Sequence, residues 1–170
     1  MDCNNSILGL DDSKKLSNKQ RDLLYNEIID KSIAYSIQFA TVDEIDRLNI
    51  LQATLLAMQR AIDKLSLLPN IVQIDGNFVP KLNNKNIICE AIIKGDSKVP
   101  QISAASILAK VTRDRYMNQL DSIYPDYGFA KHKGYGTKLH LDMIKKYGVL
   151  PIHRKSFTPI KNKFQDNLFS

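Results

Sequence analysis

The chain has 170 residues, 44% of them apolar and 25% charged, with a formal net charge of +6. That length suits one domain with a sizeable core rather than two ordinary ones, and the balance excludes global disorder. No run approaches the ~18 apolar residues that a membrane helix needs, so no membrane role is expected. Cys3 and Cys89, the only cysteines, form no Cys-x-x-Cys pair, which excludes a disulfide framework and a zinc knuckle. Met1-Asp2-Cys3-Asn4-Asn5 carries no basic stretch ahead of an apolar one. No secretory signal is therefore expected, and a reducing cytoplasm is the expected location.

Ser17 with Gln20 three residues on is a capping box, and Leu24, Ile28, Ile29 and Ile33 give the following helix an apolar face. Tyr35, Ile37 and Phe39 alternate with Ser36, Gln38 and Ala40, the pattern of a strand. Thr41 with Glu44 is a second capping box. Leu51, Leu55, Met58, Ile62 and Leu65 then predict a long amphipathic helix, running from about Asn49 to Ser66 and ended by Pro69. Ile71–Ile74 and Ile87–Ile93 read as short buried strands that stop at Asp75-Gly76-Asn77 and Lys94-Gly95-Asp96. A long helix follows Pro100 and is closed by Tyr124-Pro125. After a glycine-containing loop, Thr137 caps a last helix that Gly148 ends. Alternating strands and helices make the class α/β.

Charge is unevenly spread. Met1–Asp75 carries 8 basic and 11 acidic residues, while Gly76–Ser170 carries 16 and 7. Between Tyr127 and Lys163 nine Lys or Arg face one acid, Asp142, and all three histidines lie there. Such a segment suits a polyanion such as nucleic acid, and equally a solvated basic face.

Two strands each end in an aspartate beside a glycine. Open α/β sheets build sites at strand ends, and Asp75 and Asp96 converging there could hold a hard divalent cation. Asp-Gly alone also makes a turn, and for either residue by itself the turn is the better reading. Gly134-Tyr135-Gly136 is no phosphate loop, since no Gly-Lys-Ser/Thr follows. Cys89 lies in an apolar strand and reads as buried packing, and the histidines are too widely spaced for a helix-borne zinc pair.

Asp12-Ser13-Lys14-Lys15-Leu16, Ile74-Asp75-Gly76-Asn77, Lys94-Gly95-Asp96-Ser97, the run from Ser103 to Asp114, the run from Tyr127 to Thr137, Pro151-Ile152-His153-Arg154 and Ser156-Phe157 together resemble bacterial ribonuclease HII. The blocks keep that family's order over nearly the whole chain. The resemblance implies a ribonuclease H-like mixed sheet flanked by helices, with a helical C-terminal region. It implies an endoribonuclease that cuts the RNA strand of RNA–DNA hybrids and cuts duplex DNA at embedded ribonucleotides, using four carboxylates and two Mg²⁺ or Mn²⁺ ions. Asp75 and Asp96 match two of the four. Tyr135 matches the tyrosine that senses the ribose at an RNA–DNA junction, although a Gly-flanked tyrosine is otherwise just an exposed loop aromatic. Lys14, Lys15, Lys131, Lys133 and Arg154 become candidates for phosphate contacts, each of which could also be a solvated surface charge, as Lys145 and Lys146 are read to be.

The family's other two carboxylates form an Asp-Glu pair in a Gly-rich motif about thirty residues before the Asp12 block. The chain has eleven residues there, and none of them matches. The expectation is a single domain over 1–170, truncated at its N-terminus so that the first two strands are absent, with a basic helical part from about 124 to 170 and a monomeric state. A non-catalytic hybrid-binding remnant and an inactive product are the alternatives. Gln165-Asp166-Asn167-Leu168-Phe169 resembles the peptides that dock on the replication sliding clamp, a short pattern that also arises by chance.

Overall fold

The computed structural model describes residues 7–10, 13–158 and 160. They fall into two compact units: the described part of Met1–Gln38 with Leu55–Arg113, and Phe39–Thr54 with the described part of Asp114–Ser170.

In the first unit helix α1 (Asn18–Lys31) starts where the capping box puts it. The Ser17 hydroxyl accepts from the Gln20 amide at 3.3 Å, and the Ser17 amide donates to Gln20 Oε1 at 2.9 Å. Strands β1 (Ile71–Asp75) and β2 (Ile88–Ile92) form a parallel pair in which Ile71 faces Ile88 and Asp75 faces Ile92. A short 3₁₀ turn, Gly95–Ser97, leads to the long helix α4 (Pro100–Ile123), whose opening proline has the φ a first helical turn needs. Leu24 and Ile28 of α1 pack with Ala104, Ile107, Leu108 and Val111 of α4. Ile28 and Ile107 are 1% and 0% exposed, so each contributes about 1.5–3 kcal/mol of burial. The α/β class is as expected, and the small sheet comes from the two runs that end in aspartates.

In the second unit helix α2 (Val42–Leu48) begins at the Thr41–Glu44 capping box. It stops at Asn49, where φ is 72°. The side chain of Asn49 then accepts from Gln52 N at 3.1 Å and starts α3 (Ile50–Asp63). One asparagine thus ends one helix and opens the next, with a backbone at φ 72° and ψ 165° that residues bearing a Cβ rarely adopt. The long α4 enters this unit from Asp114 onward. A 3₁₀ turn at Pro125–Tyr127, a single helical turn α5 (Phe129–His132) and helix α6 (Lys138–Tyr147) follow. Leu120, Tyr127, Phe129, Ile144 and Ile160 make the core, with the Tyr127 and Phe129 rings stacked at 5.7 Å. Thr137 caps α6 by accepting from His140 N, and Gly148 ends it at φ 91°.

Four expectations need correction. The two strands are mostly open rather than buried: Ile71 and Ile88 are exposed, and Ile74 is the one buried position of β1 and β2. Tyr35–Phe39 is not a strand: it carries no ladder among the described residues, and Tyr35 and Phe39 are half exposed. Alternation signals fitness for a sheet, but a strand needs a partner edge to bond its backbone. The helix expected from about Asn49 to Ser66 ends at Asp63, and its buried positions include Ala53 and Ile62 while Leu51 is 38% exposed. Cys89 is half-buried rather than buried; burial, with the Glu90 charge beside it, still pushes its thiol pKa up and keeps it protonated.

Candidate functional site

β1 ends on Asp75, and the chain turns away at Gly76, where φ is 106° and no side chain would be comfortable. β2 ends two residues before Lys94, which sits in the left-handed region at φ 56° and launches the Gly95–Ser97 turn. That turn is closely bonded. Lys98 N and Val99 N donate to Gly95 O at 3.0 and 2.8 Å, Ser97 Oγ to Lys94 O at 3.0 Å, and the Lys98 ammonium to Ile93 O at 2.8 Å. Gly95 is buried, and an added Cβ would lie 2.6 Å from Ile102 Cδ1.

One bond ties Asp75 to the turn after β2: Gly95 N donates to Asp75 Oδ1 at 2.8 Å. The carboxylate at the end of β1 is thereby fixed against the turn that carries Asp96. Asp75 is exposed and Asp96 half-buried, so both can reach a solvated ligand. Among the described residues the Asp96 carboxylate and Asp75 Oδ2 accept no side-chain or backbone hydrogen bond. Hard oxygen donors placed in this way fit a divalent cation. Among the described residues no third His, Cys, Asp or Glu joins them in a cluster, so the pair fits part of a metal centre.

The basic candidates lie on separately built turns. In the first unit Lys14 and Lys15 are exposed on a turn clamped from within by Arg21, whose guanidinium donates to Ser13 O at 2.6 Å, to Leu16 O and to the Asn18 side chain. In the second unit Lys131 and Tyr135 are exposed, Tyr135 at 57%. The Lys133 ammonium donates to the Asn118 side chain, and the Arg154 guanidinium lies 3.9 Å from the Phe157 ring centroid. Asp46 of α2 organises the turn beyond Arg154. Its carboxylate accepts from Lys155 N at 2.8 Å, Ser156 N at 2.9 Å and Ser156 Oγ at 2.6 Å. Burial raises the Asp46 pKa, but the Ser156 hydroxyl and the two amides outweigh it, and the carboxyl is held below its ordinary value.

Arg21, Asp46 and the Gly95 amide escape a sequence reading, because each acts through backbone groups that no motif spells out. The histidines escape it for another reason. His132, His140 and His153 are each about 95% buried and stack together, with 4.1 Å between the His132 and His140 rings and 3.0 Å between His140 Nε2 and His153 Nε2. Their sequence spacing is irregular, and their co-occurrence within one basic segment is the sole hint of contact. The tail pattern Gln165–Phe169 lies outside the described residues.

A family model described as Ribonuclease HII matches residues 4–160. The Ribonuclease HII of Psychromonas ingrahamii is 57% identical over 161 residues, covering 95% of this chain and 78% of that protein. That of Coxiella burnetii is 59% identical over 155 residues, covering 91% of this chain and 75% of that protein. Among solved structures, the crystal structure of the ribonuclease H2 from Pyrococcus horikoshii superposes with a TM-score of 0.76 at 27% identity, covering 95% of this chain and 82% of that one.

Proposed function

This chain belongs to the ribonuclease HII family, and from that premise we propose that it cleaves the RNA strand of RNA–DNA hybrids, and duplex DNA at embedded ribonucleotides, through divalent ions held by Asp75 and Asp96. The observation that supports the site assignment is the Gly95 N–H to Asp75 Oδ1 bond, which ties the end of β1 to the turn that carries Asp96. The family is generally divalent-metal dependent; Mg²⁺ or Mn²⁺ in a two-ion arrangement is our assignment here. When bound, such ions lower the pKa of a water and neutralise charge on the leaving oxygen. Asp75 and Asp96 supply the anchoring oxygens, and the Gly95 amide orients the first of them before any ligand arrives.

Lys14, Lys15, Lys131, Lys133 and Arg154 are proposed to contact phosphates, which positions a duplex without reading its sequence. Tyr135 is proposed to meet the ribose, whose 2′-hydroxyl is the atom that separates RNA from DNA. Monomeric action in the cytoplasm, and weak clamp docking through Gln165–Phe169, complete the reading. Among the described residues no helix is long and apolar enough to cross a membrane.

The test is incision of duplex DNA carrying one ribonucleotide, in Mg²⁺ or Mn²⁺. We expect metal-dependent cutting at the ribonucleotide, abolished by Asp75→Asn and by Asp96→Asn. No cutting at any metal concentration, equal cutting of all-DNA duplex, or cutting that survives both substitutions would overturn the reading.

A further inference from the structure

The buried histidines form a directed chain of hydrogen bonds that ends on Tyr135. At one end Leu150 N donates to His153 Nδ1 at 2.8 Å. That nitrogen must carry a lone pair, so the proton of a neutral His153 sits on Nε2. At the other end His140 Nδ1 lies 3.0 Å from the Tyr135 carbonyl oxygen. A carbonyl only accepts, so Nδ1 of His140 carries the proton and its Nε2 the lone pair. The two Nε2 atoms are 3.0 Å apart, a separation that needs one proton between them. The two ends, assigned independently, agree: His153 donates and His140 accepts. The order is Leu150 N–H to His153, His153 to His140, His140 to the Tyr135 carbonyl.

The remaining contacts keep this order rigid. His132 stacks on His140 and bonds Tyr127 O through Nε2 at 2.8 Å, while its Nδ1 accepts from Gly134 N at 3.2 Å. Phe129 packs against both His140 and His153, at 5.5 and 5.8 Å between ring centroids. Tyr135 itself follows two left-handed residues, Lys133 and Gly134, with its amide on His132 O at 2.8 Å. Its carbonyl also accepts from Thr137 N at 2.8 Å. An exposed ring is therefore carried on a peptide gripped from below by His140.

We propose that His140, backed by His153, is a positioning residue for ribose recognition: it fixes the Tyr135 peptide, and with it the ring, in the orientation that meets the sugar. This rests on the reading of Tyr135 as the ribose sensor. Burial and the neighbouring imidazoles hold the pair neutral, consistent with their lowered basicity.

The test compares binding of the full chain to two duplexes that differ by a single 2′-hydroxyl, followed by fluorescence anisotropy. Removing the part-buried hydrogen bond to the Tyr135 carbonyl should cut the affinity ratio between the duplexes about fivefold to tenfold in His140→Leu. His140→Asn, whose amide nitrogen can stand in place of Nδ1, should restore most of it. Nitrogen-15 spectra of the wild-type imidazoles should show His140 protonated on Nδ1 and His153 on Nε2, a readout that needs no variant to fold. The opposite tautomers, or an unchanged ratio in folded His140→Leu, would overturn the proposal. Tyr135→Ala run alongside separates the two ideas: an unchanged ratio there sinks the ribose reading itself, whereas a reduced ratio there with none in His140→Leu sinks the positioning role alone.

Discussion

Gly95→Ala probes packing and the carboxylate pair together. A Cβ at this position would lie 2.6 Å from Ile102 Cδ1 and 3.4 Å from Ile92 Cβ, where ordinary contact begins at 3.4 Å. Ile102 Cδ1 must therefore retreat by roughly 0.8 Å in a setting where Ile102 is 6% exposed. Driving the side chain off its rotamer costs about 0.5–1.5 kcal/mol, and overpacking of a close-fitted core about 1–3 in all. Reduced glycine freedom in the unfolded chain returns ~0.4–1 kcal/mol. The net is a destabilisation of about 1–2 kcal/mol, measured by urea unfolding. Ile102→Val removes the offending methyl at a cost of about 0.5–1.5 kcal/mol by itself. The double variant should then be more stable than the sum of the two singles predicts, by about 1 kcal/mol. Mn²⁺ affinity, weakened in Gly95→Ala because the amide that holds Asp75 is displaced, should recover in the double. Additivity within ~0.3 kcal/mol, or metal affinity indifferent to Gly95→Ala, would refute the packing argument.

Burial of neutral His153, with the His140 ring beside it, lowers its pKa from 6.5 to about 4. Between those values the unfolded chain binds the extra proton, so stability should fall with falling pH, by roughly 3 kcal/mol from pH 7 to pH 4. His153→Gln, compared by thermal unfolding across that range, should lose most of this slope, and an equal slope would contradict the neutral chain. Ile107→Ala, at a fully buried site, should cost about 2–5 kcal/mol in chemical denaturation. Asp46→Ala should cost about 1–2 kcal/mol and weaken duplex binding, because it frees the Lys155–Ser156 turn next to Arg154. Lys14→Ala with Lys15→Ala should reduce the slope of log affinity against log salt by about 1 for each phosphate that is no longer neutralised, with no change in ribose preference.

Much of the fold around the candidate site was legible because its signals are local. Ser17 and Thr41 announce their helices through residues three positions on, and Asp75 and Asp96 mark the ends of two short apolar runs. What stayed hidden depends on how distant segments meet. The alternation of Tyr35–Phe39 is real, but no neighbouring edge among the described residues takes it up. The helix expected from about Asn49 to Ser66 starts close to its expected place but stops at Asp63, since the apolar period runs on past the last helical residue. Leu150, His153, His140 and Tyr135 lie in three segments whose meeting follows from the packing of Phe129, not from any spacing.

The central claim is that Asp75 and Asp96 form one divalent-cation site. Mn²⁺ added substoichiometrically to nitrogen-15-labelled protein tests it directly, because the paramagnetic ion broadens amide signals by proximity and needs no turnover. The account predicts that the Gly76, Gly95 and Asp96 amides broaden first, and that Asp75→Asn or Asp96→Asn removes the effect while leaving the rest of the spectrum in place. Broadening centred elsewhere, or broadening at Gly95 that persists in both variants, would contradict it.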